Sequence, residues 1–406
     1  HIGKTPVAPA VAEVVGEYVA LGSESFYRIA NFDRMDPFFM SIVSASDHWM
    51  FIWSSGGLTA GRQSSDNALF PYYTEDKIRD HADQTGSRTI LRVIRDRQRF
   101  LWEPFSRHGE ALYRVSRNLY KNVSGNKLMF EEVNSDLDLV FRYTWKLSDR
   151  FGFVKHSELV NQGQESVSVE VLDGIENVLP WGLEDSFQNQ YSCLGDAYKQ
   201  NDLESDTGLA TYALSSIPGD SPEPAEALRA TVCWSTCSPD AVRLLSSLQL
   251  DTFRCGDDVR AETRVCGRRG AFFIQQEHEL PPGGQQDWLI VADVDYGLSE
   301  VATLKRTFVE STDLEGLVNE DVEEGTRRLN AIVGRADGLQ KSDDRLGAAH
   351  HFANVLFNVM RGGIFESSYS IDLVDLKEFV RSFNRETWTR QQDFLNGLGE
   401  QIELGE

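Results

Sequence analysis

The stretch Leu137-Asp138-Leu139-Val140-Phe141-Arg142-Tyr143-Thr144-Trp145-Lys146 sets an apolar, largely aromatic face (Leu137, Leu139, Phe141, Tyr143, Trp145) against a second face of Asp138, Val140, Arg142, Thr144 and Lys146. Successive side chains of an extended chain point opposite ways, so a period of two marks a strand that buries one side. Outward from this stretch, residues 151–160 and 166–172 repeat the pattern around Asn161-Gln162-Gly163, and the two runs read as a hairpin. Further strands are predicted at 50–53, 89–95, 209–214, 228–235, 271–280 and 288–294, and period two dominates from about residue 24 to residue 306. Residues 216–227, with Pro218, Pro222 and Pro224, read as a surface connection.

At Thr312 the pattern changes. Thr312-Asp313 offers an N-cap, and residues 314–333 place Glu-rich turns before Arg-rich ones, the order a helix dipole favours. A second helix is predicted over 343–360, with Leu346, Ala349, Phe352, Val355, Leu356 and Val359 in one stripe and Gly362-Gly363 as its stop. Two more are predicted over 374–383 and 385–398. Strands first and helices last argue for separate layers or domains and against an alternating α/β sheet.

Forty Lys and Arg against 63 Asp and Glu leave a formal charge of -23, which repels a phosphate backbone and an anionic lipid surface, so neither nucleic acid nor a membrane is an expected partner. No run approaches the roughly 18 apolar residues of a membrane span. Residues 7–21 look like a signal core, but Glu13 and Glu17 interrupt them and no basic region precedes them, so they read as an exposed arm or short helix. A soluble protein is expected. Five cysteines in 406 residues make no disulfide framework, which favours the cytoplasm over the periplasm. Cys233, Cys237, Cys255 and Cys266 lack a zinc-ribbon spacing and read as free thiols; no metal and no cofactor is expected.

Residues 54–62, Ser-Ser-Gly-Gly-Leu-Thr-Ala-Gly-Arg, lack the Lys-Ser/Thr of a phosphate loop and read as a turn after a strand. His350 and His351 are neighbours on a helix, about 100° apart, and do not chelate one ion. Two strand pairs, Glu277 with Glu279 and Asp293 with Asp295, have the spacing of about 7 Å that glycosidic acid–base chemistry uses, although solvent-facing acids are the plainer reading. Trp49, Trp53, Tyr72, Tyr73, Trp102, Trp181 and Trp234 lie beside polar loop residues. Aromatic faces stack on sugar C–H groups while Asp, Asn, Arg and Gln bond the hydroxyls, though most Trp serve as packing.

The segment Trp49-Met50-Phe51-Ile52-Trp53-Ser54-Ser55-Gly56-Gly57, then Thr89-Ile90-Leu91-Arg92-Val93-Ile94-Arg95-Asp96, then Phe100-Leu101-Trp102-Glu103-Pro104, resembles the opening of the glycoside phosphorylases that include cellobiose phosphorylase. Residues 150–179, with Ile175-Glu176-Asn177-Val178-Leu179, resemble their later sandwich strands. The resemblance implies a galactose mutarotase-like super-sandwich, a helical linker and then an (α/α)6 barrel that holds the catalytic Asp. Where relatives carry Gly-Gly-Gly-Tyr-Ser this chain has Gly56-Gly57-Leu58-Thr59, so that loop's contacts do not carry over.

The expected fold class is therefore mainly β with C-terminal helices: a large antiparallel β-super-sandwich followed by an α-helical linker segment. Its expected parts are an arm (1–23), the sandwich (24–311) and the linker with the start of a barrel (312–406). Roughly ninety residues after Thr312 do not hold six helical hairpins, so the catalytic residues are expected beyond Glu406. The chain is read as a truncated fragment of a phosphorylase-like or hydrolase-like enzyme of β-linked gluco-oligosaccharides, bracing the barrel and supplying a cleft loop. Trp53, Arg62, Asp66 and Asn67 are the expected substrate-binding residues. An oligosaccharide is the expected partner, with inorganic phosphate as co-substrate of the full-length enzyme and a homodimer surface. The alternatives are a free-standing carbohydrate-binding sandwich without catalysis, and a mutarotase-, epimerase- or lyase-like sandwich enzyme. An epimerase needs a converging His and carboxylate, and His278 with Glu277, the nearest pair, point to opposite faces.

Overall fold

The computed structural model describes residues 13–73, 75–95, 97–107, 112–217, 227–340, 342–362 and 370–403. The proline-rich residues 218–226, Asp96 and Gly363, all used above, lie outside them. The chain divides into two compact units, residues 1–325 and 326–406, with the division inside the helix Leu314–Asp337.

In the first unit the alternating stretch behaves as its pattern demands. Strand Leu139–Ser148 buries Leu139, Phe141, Tyr143, Trp145 and Leu147, while Arg142, Thr144 and Lys146 on the other face are half-buried. It sits near the middle of an eleven-stranded sheet, and every described strand pairing in the molecule is antiparallel. From Val15–Leu21 at one edge this sheet passes through Glu24–Ala30, Val115–Asn122, Lys127–Asn134, Leu139–Ser148 and Gly152–Asn161. It continues through Gln285–Tyr296, Ala230–Ser235, Leu209–Leu214 and Lys199–Glu204 to Arg264–Cys266. A five-stranded sheet (Val242–Leu244, Gly270–Leu280, Val167–Val178, Gly86–Arg95, Gln98–Trp102) supplies the opposing layer. A four-stranded meander (Phe39–Ile42, His48–Trp53, Leu58–Arg62, Ala68–Phe70) joins the same core.

One continuous hydrophobic core draws Phe130, Phe141 and Trp145 from the large sheet, Val169, Val171 and Phe272 from the smaller one and Ile52 and Phe70 from the meander. A second core, with Val154, Trp234 and Leu289, covers the outer face of the large sheet with Leu304, Val318 and Val322 from helices Leu298–Glu310 and Leu314–Asp337. The sandwich core also holds a fully buried ion pair, Lys155 with Asp173. Asp173 further accepts from Thr89 Oγ1 (2.6 Å), Ser157 Oγ (2.8 Å) and Trp288 Nε1 (2.8 Å), so the charge is buried without being abandoned.

Three expectations need correction. Residues 151–160 and 166–172 do not form a hairpin. Gly152–Asn161 pairs with Leu139–Ser148 and Gln285–Tyr296 in the large sheet, whereas Val167–Val178 pairs with Gly86–Arg95 and Gly270–Leu280 in the other. The link is an arch between sheets, held by Asn161, which donates to the carbonyls of Glu165, Leu280 and Pro281 and accepts from Gly163 N–H. Second, Val15–Leu21 is neither arm nor helix but an edge strand turning at Gly22 (φ 60°) onto Glu24–Ala30. Third, helix begins earlier than Thr312: Leu298–Glu310 is helical, with Val301, Leu304 and Phe308 packing on the sheet.

The later helices follow the sequence closely. Asp313 Oδ1 caps Gly316 N–H at 2.7 Å. In the second unit, Arg345–Met360 is capped by Asp344, and Leu373–Phe383 and Arg385–Asn396 by Asp372 and Asn384. Ser370–Asp372 pairs with Gln401–Glu403 in the same unit. No described helix is long and apolar enough to cross a membrane.

Candidate functional site

A cavity of about 570 Å³ in the first unit opens where the large sheet meets the meander and the loop after Gln98–Trp102. Its floor is aromatic. Phe130 and Tyr143, neighbours on adjacent strands, stack with centroids 4.9 Å apart and planes at 12°. Phe105 stands edge-on to Tyr143 at 5.3 Å, and Phe32 edge-on to Phe130 at 5.9 Å. Burial pushes the Tyr143 hydroxyl well above its ordinary pKa, so it stays protonated and able to donate.

Phe105 is held there at a cost. Its φ of 64° lies in the left-handed region that bulky side chains avoid. The restraint is Glu132, which is 2% exposed. Its Oε2 accepts from Phe105 N–H and from Arg117 Nε, each at 2.7 Å, and its Oε1 accepts from Trp102 Nε1 at 2.7 Å. Arg117 Nη2 then donates to Ser106 O at 3.1 Å, so one buried carboxylate fixes the backbone of residues 105–106. Trp102, the first residue of the Trp102-Glu103-Pro104 motif, thus supports the cavity wall through Glu132.

The opposite wall is the Ser54-Ser55-Gly56 turn. Gly56 takes φ 93°, and a side chain at Gly57 would put Cβ 2.3 Å from Ile78 O, so Gly57 is what lets the helix Glu75–Asp80 approach. That approach brings Arg79, Asp80 and Asp83 to the rim, across from Asp33 and Arg107. An aromatic floor under a rim of carboxylates and guanidiniums suits a polyhydroxylated ring.

The four sequence-predicted residues do not converge on this cavity. Trp53 is buried behind the Ser54 turn, edge-on to Phe39. Arg62 lies at the far end of the same hairpin, paired with His48. There Arg62 and Asn67 line a second depression of about 460 Å³ together with Asp293 and Asp295. Arg62 donates to Asp293 Oδ1 (2.8 Å) and Oδ2 (3.0 Å), Asp47 Oδ1 (2.8 Å) and Asp149 O (2.8 Å), which engages four of its five N–H groups. Burial pushes Asp293 up to about 6 against the pull of Arg62. Asn67 Oδ1 is buried with no partner among the described residues, and Asp66 accepts from Asp185 N–H at 2.9 Å.

The carboxylate pairs also separate. Asp295 has φ 67° and pairs with Arg229, so the strand bulges there and Asp293 alone turns inward. Glu277 and Glu279 are exposed, while His278 stacks on Trp288 at 5.7 Å. Cys233, Cys237, Cys255 and Cys266 are free thiols.

Among the described residues, His156, Asp287 and Glu315 bring ligand-type atoms within 4.8 Å of one another. His156 Nε2 is 3.0 Å from Asp287 Oδ2, and Lys146 Nζ is 3.0 Å from His156 Nδ1. Burial and the neighbouring Asp287 raise the Glu315 carboxyl.

Fold and cleft define a large antiparallel β-sandwich protein with C-terminal helices and an aromatic-floored cavity. No family model and no curated protein matches the chain. Among solved structures, a candidate kojibiose phosphorylase from the human microbiome is 10% identical over 70% of this chain and 32% of its own, at a TM-score of 0.37. A bacterial glucoamylase solved with acarbose is 10% identical over 80% of this chain and 40% of its own, at 0.35. A candidate aldose 1-epimerase from Escherichia coli K12 is 12% identical over 64% of this chain and all of its own, at 0.32. Each is, by its description, an enzyme of carbohydrates. The chain spans about a third of the first and two fifths of the second.

Proposed function

We propose that this chain is the sandwich and linker part of a carbohydrate-active enzyme, and that its aromatic-floored cavity binds an oligosaccharide. The observation that carries the reading is Phe105, a bulky residue held at φ 64° by a buried carboxylate so that its ring completes an aromatic floor. Backbone strain of this kind persists only where the surroundings enforce it, and it clusters at binding sites. The resemblance of residues 49–57 and 100–104 to glycoside phosphorylases supports a phosphorylase-like parent, with β-linked gluco-oligosaccharides as substrate, inorganic phosphate as co-substrate and self-association as the oligomeric mode.

The test is calorimetry of the chain against a panel of gluco-oligosaccharides, with F105A alongside. Saturable binding by the wild type, weakened about tenfold or more in F105A as loss of one stacked ring predicts, is the expected result. Binding that is unaffected by F105A, or no binding across the panel, overturns the assignment of this cavity. Phosphate-dependent release of a sugar phosphate by a longer form of the protein tests the phosphorylase reading separately.

A further inference from the structure

A different cavity, of about 440 Å³, lies beside the loop that joins helices Leu298–Glu310 and Leu314–Asp337. Arg243 lines it, and Trp234 forms a wall backed by Phe308 at 4.9 Å. Arg243 is 8% exposed and forms no salt bridge with any described carboxylate. Its hydrogen bonds go to main-chain carbonyls only: Nη1 to Pro239 O and Ala241 O, each at 3.0 Å, and Nη2 to Ser238 O at 3.3 Å. A guanidinium has five N–H groups, so the Nε–H and one Nη2–H remain, which together form the edge that grips a carboxylate or phosphate bidentately.

Other donors share this want of a partner. Ser235 Oγ and Gln276 Nε2 are, like Arg243 Nε, buried without a hydrogen-bond partner by ordinary geometry. Both approach the Cys237 thiol, a weak acceptor that burial pushes up to about 12 and so keeps neutral. Gly208 packs against the guanidinium so closely that a Cβ there would lie 2.8 Å from Nε. A buried cation that meets no carboxylate costs free energy unless an anionic acceptor is supplied.

We infer that this cavity is an oxyanion site, in which a carboxylate or phosphate group of a small molecule accepts from Arg243 while the rest of the ligand lies against Trp234. The acids nearby do not fill the role. Asp313 Oδ1 is committed to capping Gly316 N–H, Glu315 shares a hydrogen bond with Asp287, and Asp206 is exposed. The site is separate from the aromatic cavity and does not depend on the function proposed for it.

The test uses the wild-type chain with R243K and R243M, titrated by calorimetry and by tryptophan fluorescence with inorganic phosphate, glucuronate and uncharged glucose. Saturable binding of phosphate or glucuronate but not glucose is expected, and whichever binds identifies the source of the oxyanion. R243K keeps the charge and loses the two-pronged edge, so affinity should fall at least about tenfold, the equivalent of one charge-assisted hydrogen bond. R243M should abolish binding, and if it fails to fold, R243K still decides. No saturable response of the wild type to either anion up to millimolar concentration overturns the proposal. So does an affinity that R243K leaves unchanged.

Discussion

Glu132→Gln is nearly isosteric, yet the geometry says that no orientation of the new amide is satisfied. Oε1 faces only the Trp102 indole N–H, and Oε2 faces the Phe105 and Arg117 N–H groups. If the amide nitrogen takes the Oε1 place, the indole donor is orphaned in a site where Glu132 and Trp102 are each 2% exposed. If it takes the Oε2 place, two donors are orphaned. The first orientation is the cheaper, at about 1–3 kcal/mol for one buried unsatisfied donor. Loss of the charge beside Arg117 adds to this, and removing one partner of a buried pair typically costs about 3–5 kcal/mol. The expected destabilisation is about 4 kcal/mol or more, with oligosaccharide affinity falling only as far as the uncharged, weaker acceptor lets Phe105 relax from its left-handed conformation. Urea unfolding followed by tryptophan fluorescence measures the first quantity and calorimetry the second. A loss below about 1 kcal/mol would mean that Glu132 is not the restraint on the loop. An unchanged sugar affinity in a clearly destabilised variant would separate that restraint from binding.

Two further outcomes follow from other positions. Gly57→Ala places Cβ 2.3 Å from Ile78 O and 3.1 Å from Ala82 Cα, so the helix Glu75–Asp80 must retreat; thermal unfolding should show about 1–3 kcal/mol of overpacking cost, with weaker sugar binding because Arg79 and Asp80 leave the rim. Burial, then the neighbouring Lys127, holds Lys146 down from 10.5 to about 8. Between those values the unfolded chain binds the proton that the folded chain has lost, so stability should rise with pH from about 8 to 10.5, by at most about 3 kcal/mol. K146M should remove that rise, and identical wild-type and K146M profiles in alkaline urea titrations would contradict it.

What was legible in the sequence is what period two and helix caps encode. The alternation at 137–145 named the aromatic buried face residue by residue, and Asp313 marked a helix start because a short acidic side chain can reach the free N–H groups. Periodicity tells which side of a strand is buried but not which strand lies beside it, so the runs flanking Asn161 looked like partners when they face each other across the core. The Gly22-Ser23 turn between two short alternating runs is itself a hairpin signal, weakened by Gly16 and Glu17 in the first run.

The cavity was harder to see. Its residues come from stretches around 32, 54, 79, 105, 130 and 143. Glu132 was the available clue: it continues the inward series Leu128, Phe130, and an acid in an apolar series must have donors waiting for it. Sequence alone does not say that those donors are Trp102, Phe105 and Arg117.

The arch at Asn161 governs the order in which the molecule can assemble. Because the chain leaves the large sheet there, Gly152–Asn161 finds its second neighbour only when Gln285–Tyr296 arrives, and that same late strand also completes Ala230–Ser235. Until then both earlier strands present raw edges, and such distant pairing is slow because long loops must close first. A chain emerging during synthesis therefore carries half a sheet with an open seam for more than a hundred residues, and the strand Gln285–Tyr296 is the stitch that closes it.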